Sequence, residues 1–266
     1  MTTQITILGC GSSGGVPRVG NDWGACDPDN PRNRRLRCAA LVRRYHGDQA
    51  TTILIDTGPD IRAQMLAANV SRADAVLYTH DHADHTHGID DLRFLAYRMR
   101  GRVQIWADER TRASLRQRFG YCFAGGGQKD YPPILSANTI TPGEPFVITG
   151  PGGPIRITPV PQFHGAIPSL GFRVGNVAYS PDVGGLPDEA LPLLQGLDVW
   201  IVDALRYNPH PSHFSVDLAL EWIAKLKPKR AILTHLNVEL DYDTLRQQLP
   251  DGVEPAYDGL AVETGS

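Results

Sequence analysis

Apolar and polar residues alternate through Gln4–Leu8, as in a strand with one buried face, and the chain then meets the turn-forming stretch GCGSSGGVP. Similar runs at Arg37–Val42 and Thr51–Ile55 predict two more strands, separated by the polar stretch Tyr45–Gln49. Pro59–Asn69 carries proline early and an apolar stripe at Ile61, Met65, Leu66 and Ala68, which predicts a helix. A short buried strand over Ala73–Tyr78 runs into the segment THDHADHTHG. Beyond it the pattern predicts helices over Asp90–Met99 and Asp108–Phe119 around a strand at Val103–Trp106, then a loop over Tyr121–Ser136. Phe146–Ile148, Ile155–Val160, Leu170–Val174 and Val177–Ser180 read as successive strands. The remainder alternates: helix Glu189–Leu194, strand Val199–Val202, helix Val216–Leu226, strand Arg230–Thr234, helix Tyr242–Leu249. Two strand-rich halves with interleaved helices predict an α/β fold, a four-layer αββα sandwich with helices outside two packed sheets, in one domain over 1–266.

Composition narrows the function classes. A hydrophobic fraction of 41% suits a globular core, and 26 basic against 29 acidic residues leave a net charge of −3. Such a balance gives no support to a long nucleic acid or an anionic membrane as partner. Cys10, Cys26, Cys38 and Cys122 show no C-x-x-C pairing, which argues against a disulfide framework or an all-cysteine zinc site. The opening MTTQITILGCG lacks a basic start and an apolar stretch, and no apolar run approaches a membrane span, so cytoplasmic residence is expected. GCGSSG fits G-x-G-x-x-G at Gly9, Gly11 and Gly14, but Gly15-Val16-Pro17 begins no helix, which a dinucleotide site requires. These glycines are expected to let the backbone pass close to a metal-bearing edge or to a phosphate.

Thr79–Gly88 changes the picture. Four of the nine histidines and two aspartates fall within these ten residues. His80 and His82, two apart after a strand, project to one side of an extended loop, and Asp84 and His85 turn toward a second point. One loop can therefore serve two neighbouring cations, and imidazole with carboxylate suits zinc, iron or manganese. It cannot complete both shells. His164, Asp182 and His235 each close a predicted strand beside small or turn-forming residues and are the remaining candidate ligands. Asp56, in ILIDTG, is expected to orient a ligand histidine. Taken singly, each would read as a capping or surface residue; the crowding of H-x-H-x-D-H makes the metal reading specific.

THDHADHTHG, ILIDTGPD and the later His164, Asp182 and His235 resemble the metallo-β-lactamase superfamily over essentially the whole chain. The resemblance implies an αββα sandwich with two divalent ions, zinc or manganese, at one sheet edge. It implies His80, His82 and His164 on one ion, Asp84, His85 and His235 on the other, Asp182 between them and Asp56 in support. Two such ions polarise a substrate oxygen and activate water at neutral pH, which is hydrolytic chemistry.

GCGSSGGVPRVG, CDPDNPRNRRLRCAALV, HPSHFSVDLALEW and LTHLNVELDYDTL are similar to the branch containing phosphoribosyl 1,2-cyclic phosphate phosphodiesterases. The resemblance implies a phosphodiesterase acting on a small cyclic or nucleotide-like phosphodiester. His213 would be general acid beside the catalytic carboxylates Asp84 and Asp182, with His210 as substitute or substrate contact. The run Arg32–Arg37 is a candidate phosphate grip through Arg34 and Arg35, with Arg93 and Arg98 behind them. That branch carries a further, cysteine-held zinc. Here Asn21 and Trp23 stand where thiolates are expected, Cys26 is alone and Val238 replaces a histidine, so that ion is expected to be absent. Alternatives are tRNA 3′ processing, for which only Tyr121–Ser136 with Lys129 could serve as an arm, lactam or thioester hydrolysis, and a non-catalytic binding module. A homodimer is compatible with all of them.

Overall fold

The computed structural model describes residues 2–124 and 132–264. The first sheet takes its strands from the first half of the chain: β1 (Thr2–Gly9), β2 (Ala39–His46), β3 (Gln49–Ile55), β4 (Ala75–Leu77), β5 (Val103–Ala107) and β6 (Leu135–Thr139). The second takes β7 (Phe146–Gly150), β8 (Gly153–His164), β9 (Ile167–Val174), β10 (Val177–Ser180), β11 (Val199–Asp203), β12 (Arg230–Thr234) and β13 (Val253–Pro255). The last strand, β14 (Ala261–Thr264), crosses back to pair antiparallel with β1. Each sheet is mixed. Strand order is β14-β1-β2-β3-β4-β5-β6 in one and β13-β12-β11-β10-β9-β8-β7 in the other. β3 to β6 run parallel, as do β10 to β13.

Period-two patterning explains the layers. Along β3, Ile53 and Ile55 face the second sheet, whereas Leu54 faces the outer helices. Along β11, Val199 and Ile201 point inward, and Trp200 and Val202 pack against the helices on the other side. Each such aliphatic side chain contributes roughly 1.5–3 kcal/mol through removal from water. The helices α1 (Ile61–Ala67), α2 (Ala83–Thr86), α3 (Arg93–Met99), α4 (Glu109–Arg118) and α5 (Gly120–Ala124) belong to the first half, and α6 (Val216–Leu226) and α7 (Tyr242–Gln248) to the second. Side chains of Asp108, Ser215 and Asp241 cap α4, α6 and α7 by accepting from the third backbone amide onward.

The predicted αββα sandwich is the observed one, with local departures. Glu189–Leu194 is not a helix but two 3-10 turns, Asp188–Ala190 and Pro192–Leu194. Pro192 lacks the amide a continuous helix would need there. The expected loop Tyr121–Ser136 begins inside α5 and ends in β6, which pairs parallel with β5; Gly125–Gly127 and Lys129 lie outside the described residues. Gly9 and Gly11 do lie against backbone, but it is that of Arg35–Arg37. A Cβ on Gly9 would meet the Arg37 carbonyl at 2.1 Å and one on Gly11 the Arg35 carbonyl at 2.9 Å. Among the described residues, no helix is long and apolar enough to cross a membrane.

Candidate metal centre

Parallel strands end on one edge, so side chains just past their C-terminal ends converge. Asp56 follows β3, Thr79 and His80 follow β4, Asp182 follows β10, Asp203 closes β11 and His235 follows β12. β8 runs parallel to β10 through β9, which puts His164 on the same edge. Asp56 and His235 have left-handed backbone, with φ of 64° and 59°.

The seven predicted ligands lie together in overlapping three-residue groups, which also take in Asp203 and His213. Donor atoms of His80, His82 and His164 lie within 4.8 Å of one another, and so do those of Asp84, His85 and His235. Asp182 lies between the groups. Its Oδ2 is 3.9 Å from His80 Nε2, 3.8 Å from His164 Nε2 and 3.5 Å from His235 Nε2, and its Oδ1 is 3.0 Å from His85 Nε2. Nevertheless His80 Nε2, His85 Nε2, His235 Nε2 and Asp182 Oδ1 are buried and make no hydrogen bond. Two ligands about 2.1 Å from one tetrahedral ion stand roughly 3.4 Å apart. The spacing and the orphaned atoms therefore fit cations better than they fit a hydrogen-bonded polar core.

The ring nitrogens facing away from this centre are anchored. His85 Nδ1 donates to Asp56 Oδ2 at 2.7 Å, and Asp56 also accepts from the Thr79 amide and hydroxyl at 2.9 and 2.8 Å. His164 Nδ1 donates to the Ser212 carbonyl at 2.7 Å. Both bonds leave Nε2 as the unprotonated donor when the ring is neutral. Burial pushes the His164 pKa down to about 4 and that of His80 well below its usual value. At His85 burial also opposes the charge, but Asp182, Asp84 and Asp56 overcome it and raise the pKa. The carboxylates thus attract positive charge to this centre.

His213 lies against this cluster, its ring 4.6 Å from those of His164 and His235 and stacked on the latter. Its Nδ1 donates to Asp203 Oδ2 at 2.7 Å, and Asp203 accepts the Val183 amide at 3.0 Å. Asp203 is fully buried, which raises its pKa. Sequence reasoning missed Asp203, although an acid closing an apolar strand is the signal that singled out Asp56. His210 is close, 5.1 Å from His213 ring to ring, with Nδ1 accepting from the Ser212 amide. A cavity of about 280 Å³ opens beside His213, bordered by Tyr207, His210, Asp217 and Glu221.

The expectation for Arg35 needs correction. Arg35 is 1% exposed, and its guanidinium donates to the Asn237 carbonyl and Asn33 Oδ1, so it holds loops together and is closed to substrate. Arg34 is exposed but lies over the Trp23 ring at 5.1 Å. Arg93 pairs with Asp90, and Arg98 borders an apolar groove with Phe94 and Tyr97. Cys26, discussed above for a further zinc, is buried with Val16, Trp23 and Val238, and its thiol donates to the Val238 carbonyl at 3.5 Å.

The β-lactamase superfamily domain matches residues 51–236, the stretch from β3 to the residue after His235. The chain belongs to the β-lactamase superfamily. It carries a His/Asp cluster suited to metal. A diphosphatase from the PhnP family has the same fold at 36% identity and a TM-score of 0.88, over 99% of this chain and 97% of that one. Zinc-bound PqqB from Methylobacterium extorquens (19% identity, TM-score 0.73, 97% and 99% covered) and the short form of human tRNase Z (16%, 0.67, 97% and 98%) share the fold. Among curated relatives, the octanoyltransferase of Porphyromonas gingivalis is 31% identical over 97% of this superfamily member, which spans only 51% of that longer protein. The coenzyme PQQ synthesis protein B of Pseudomonas putida is 25% identical over 97% of this chain and 99% of its own length.

Proposed function

We propose that this chain is a dinuclear metal-dependent phosphodiesterase acting on a small cyclic or nucleotide-like phosphodiester. The observation that supports it most is the pair of three-residue groups bridged by Asp182, with the His213–Asp203 pair against them. Two divalent cations held by His80, His82 and His164, by Asp84, His85 and His235, and jointly by Asp182 would polarise a phosphoryl oxygen and lower the pKa of water. The remaining work falls to the chain itself. Asp56 and the Ser212 carbonyl fix the His85 and His164 tautomers. Asp203 Oδ2 accepts from His213 Nδ1 and leaves His213 Nε2 as the atom that hands a proton to the departing alkoxide. Burial lowers the His213 pKa, so its imidazolium is the stronger acid. The cavity beside His213 gives the leaving alcohol room, and its Asp217 and Glu221 favour hydroxyl donors over a second phosphate on that side.

The test is hydrolysis of bis(p-nitrophenyl) phosphate and of cyclic phosphodiesters by protein loaded with zinc or manganese. Activity on neither class would remove the reading. A second reading, cleavage of a diphosphate linkage, is favoured by the 36% identity to the PhnP-family diphosphatase. It predicts faster turnover of diphosphate diesters than of monophosphate diesters. The likeness to tRNase Z is one of fold, and the net charge of −3 gives a tRNA no electrostatic footing.

A further inference from the structure

Helix α4 carries Arg110, Ser114 and Arg118 at intervals of four, and hence on one face. All three converge on Asp81, the residue between His80 and His82. Arg110 Nη1 donates to Asp81 Oδ1 at 2.9 Å, and Arg118 Nη2 donates to Oδ2 at 3.1 Å. Arg118 Nη1 also donates to the Asp81 main-chain carbonyl at 2.5 Å, and the Ser114 side chain hydrogen-bonds the same carboxylate. Asp81 is 6% exposed, whereas the two arginine side chains are 45% and 42% exposed. The aspartate therefore spends its charge on α4, away from the cation centre, and belongs to none of the groups able to hold an ion.

The other half of the loop is anchored elsewhere. Asp56 holds His85, the Thr57 amide donates to the His85 carbonyl at 2.8 Å, and Gly58 packs so closely on Asp84 that a Cβ there would meet its carbonyl at 2.0 Å. His82, by contrast, is exposed. Its carbonyl accepts from the Thr86 hydroxyl and the His85 amide, its ring meets those of His80 and His164, and the peptide before it is gripped by Arg118. Asp56 at the end of β3 thus supports the loop at both Thr79–His80 and His85, and α4 adds a separate support at Asp81, next to His82.

We propose that Arg110, Ser114 and Arg118 are positioning residues that set the affinity of the His80–His82–His164 group for its cation without altering that of the Asp84–His85–His235 group. The inference rests on the two-cation reading above. Its physical basis is entropic: without the clamp, binding must order the His80–His82 backbone as well as the side chains.

The experiment uses zinc-loaded full-length protein. Zinc per chain is measured, and its release to a chromophoric chelator is titrated for the wild type, Asp81→Asn, Arg118→Gln and the double variant. Arg110→Gln, which touches only the carboxylate, is the milder variant should the others fold poorly. The expected result is two zinc ions per wild-type chain. In each variant one of them should be released about 10–100-fold more readily, the usual effect of removing an outer partner of a metal ligand. The other should be unchanged, and the double variant should be no worse than the stronger single. Two zinc ions that loosen together, or neither loosening, would overturn the clamp. A wild-type chain that holds one zinc would instead overturn the two-cation reading.

Discussion

The two sheets supply the centre in different ways. The first delivers four of the seven candidate ligands from one six-residue stretch, His80–His85, wound by α2 so that its halves face separate points. The second delivers His164, Asp182 and His235 singly, and Asp203 and His213 besides, each from its own strand end or loop. A local cluster depends on a few backbone angles, whereas the dispersed set depends on strand order and on the packing of whole layers. Damage to the second sheet should therefore be felt at the centre through geometry, and damage to the first through loss of donors.

The largest expected effect comes from the side chain that joins the two contributions. Asp182→Ala should lower turnover of bis(p-nitrophenyl) phosphate on the order of 10³-fold, as loss of a central electrostatic group does, with zinc content dropping below wild type by elemental analysis. His213→Gln tests the second sheet alone. It should cost about 10²–10⁴-fold in kcat on substrates with alkyl leaving groups and much less on p-nitrophenyl esters, whose leaving group needs no proton. Equal losses on both would disprove the general-acid role. Asp56→Asn tests the first sheet alone. One zinc should bind roughly 10–100-fold more weakly while kcat of the fully loaded protein stays near wild type, a contrast readable by activity at limiting and saturating zinc.

The smallest effect concerns the crossing between sheets. Asp258, between β13 and β14, accepts the Cys10 amide at 3.0 Å and the Leu36 amide at 2.7 Å. Burial raises its pKa to about 6, above the value near 4 of an unfolded aspartate. The folded form therefore binds that proton more tightly. The group's contribution to stability is full below about pH 4 and is lost as pH rises through 6, by roughly 3 kcal/mol. Urea midpoints across this window should fall in the wild type relative to Asp258→Asn, and parallel curves would contradict the assignment.

The same contrast decides what the sequence made legible. H-x-H-x-D-H announces itself because its ligands are neighbours in the chain. His164, Asp182 and His235 were readable because each closes an apolar run, and parallel strands bring such ends to one edge. Asp203 carries that signal too, directly after the predicted strand Val199–Val202, as Asp56 does after Thr51–Ile55. Arg35 is closed to a phosphate for a general reason. A basic run reads the same whether a given member points to solvent or, like Arg35, turns inward to carbonyl oxygens. The short strands β13 and β14 are too brief for periodicity to register, and only the pairing of β14 with β1 gives it meaning.

The left-handed backbone at Asp56 and His235 also bears on how this centre can change over time. Ordinary side chains lose about 1–2 kcal/mol in that conformation, and aspartate, asparagine and histidine are among those that tolerate it best. Glycine would ease the main chain at either position yet erase the chemistry, and bulky or β-branched residues would fail on both counts. Mutational drift at these two sites thus has almost nowhere to go, and the rim of the centre is more constrained than exposure or charge alone would suggest.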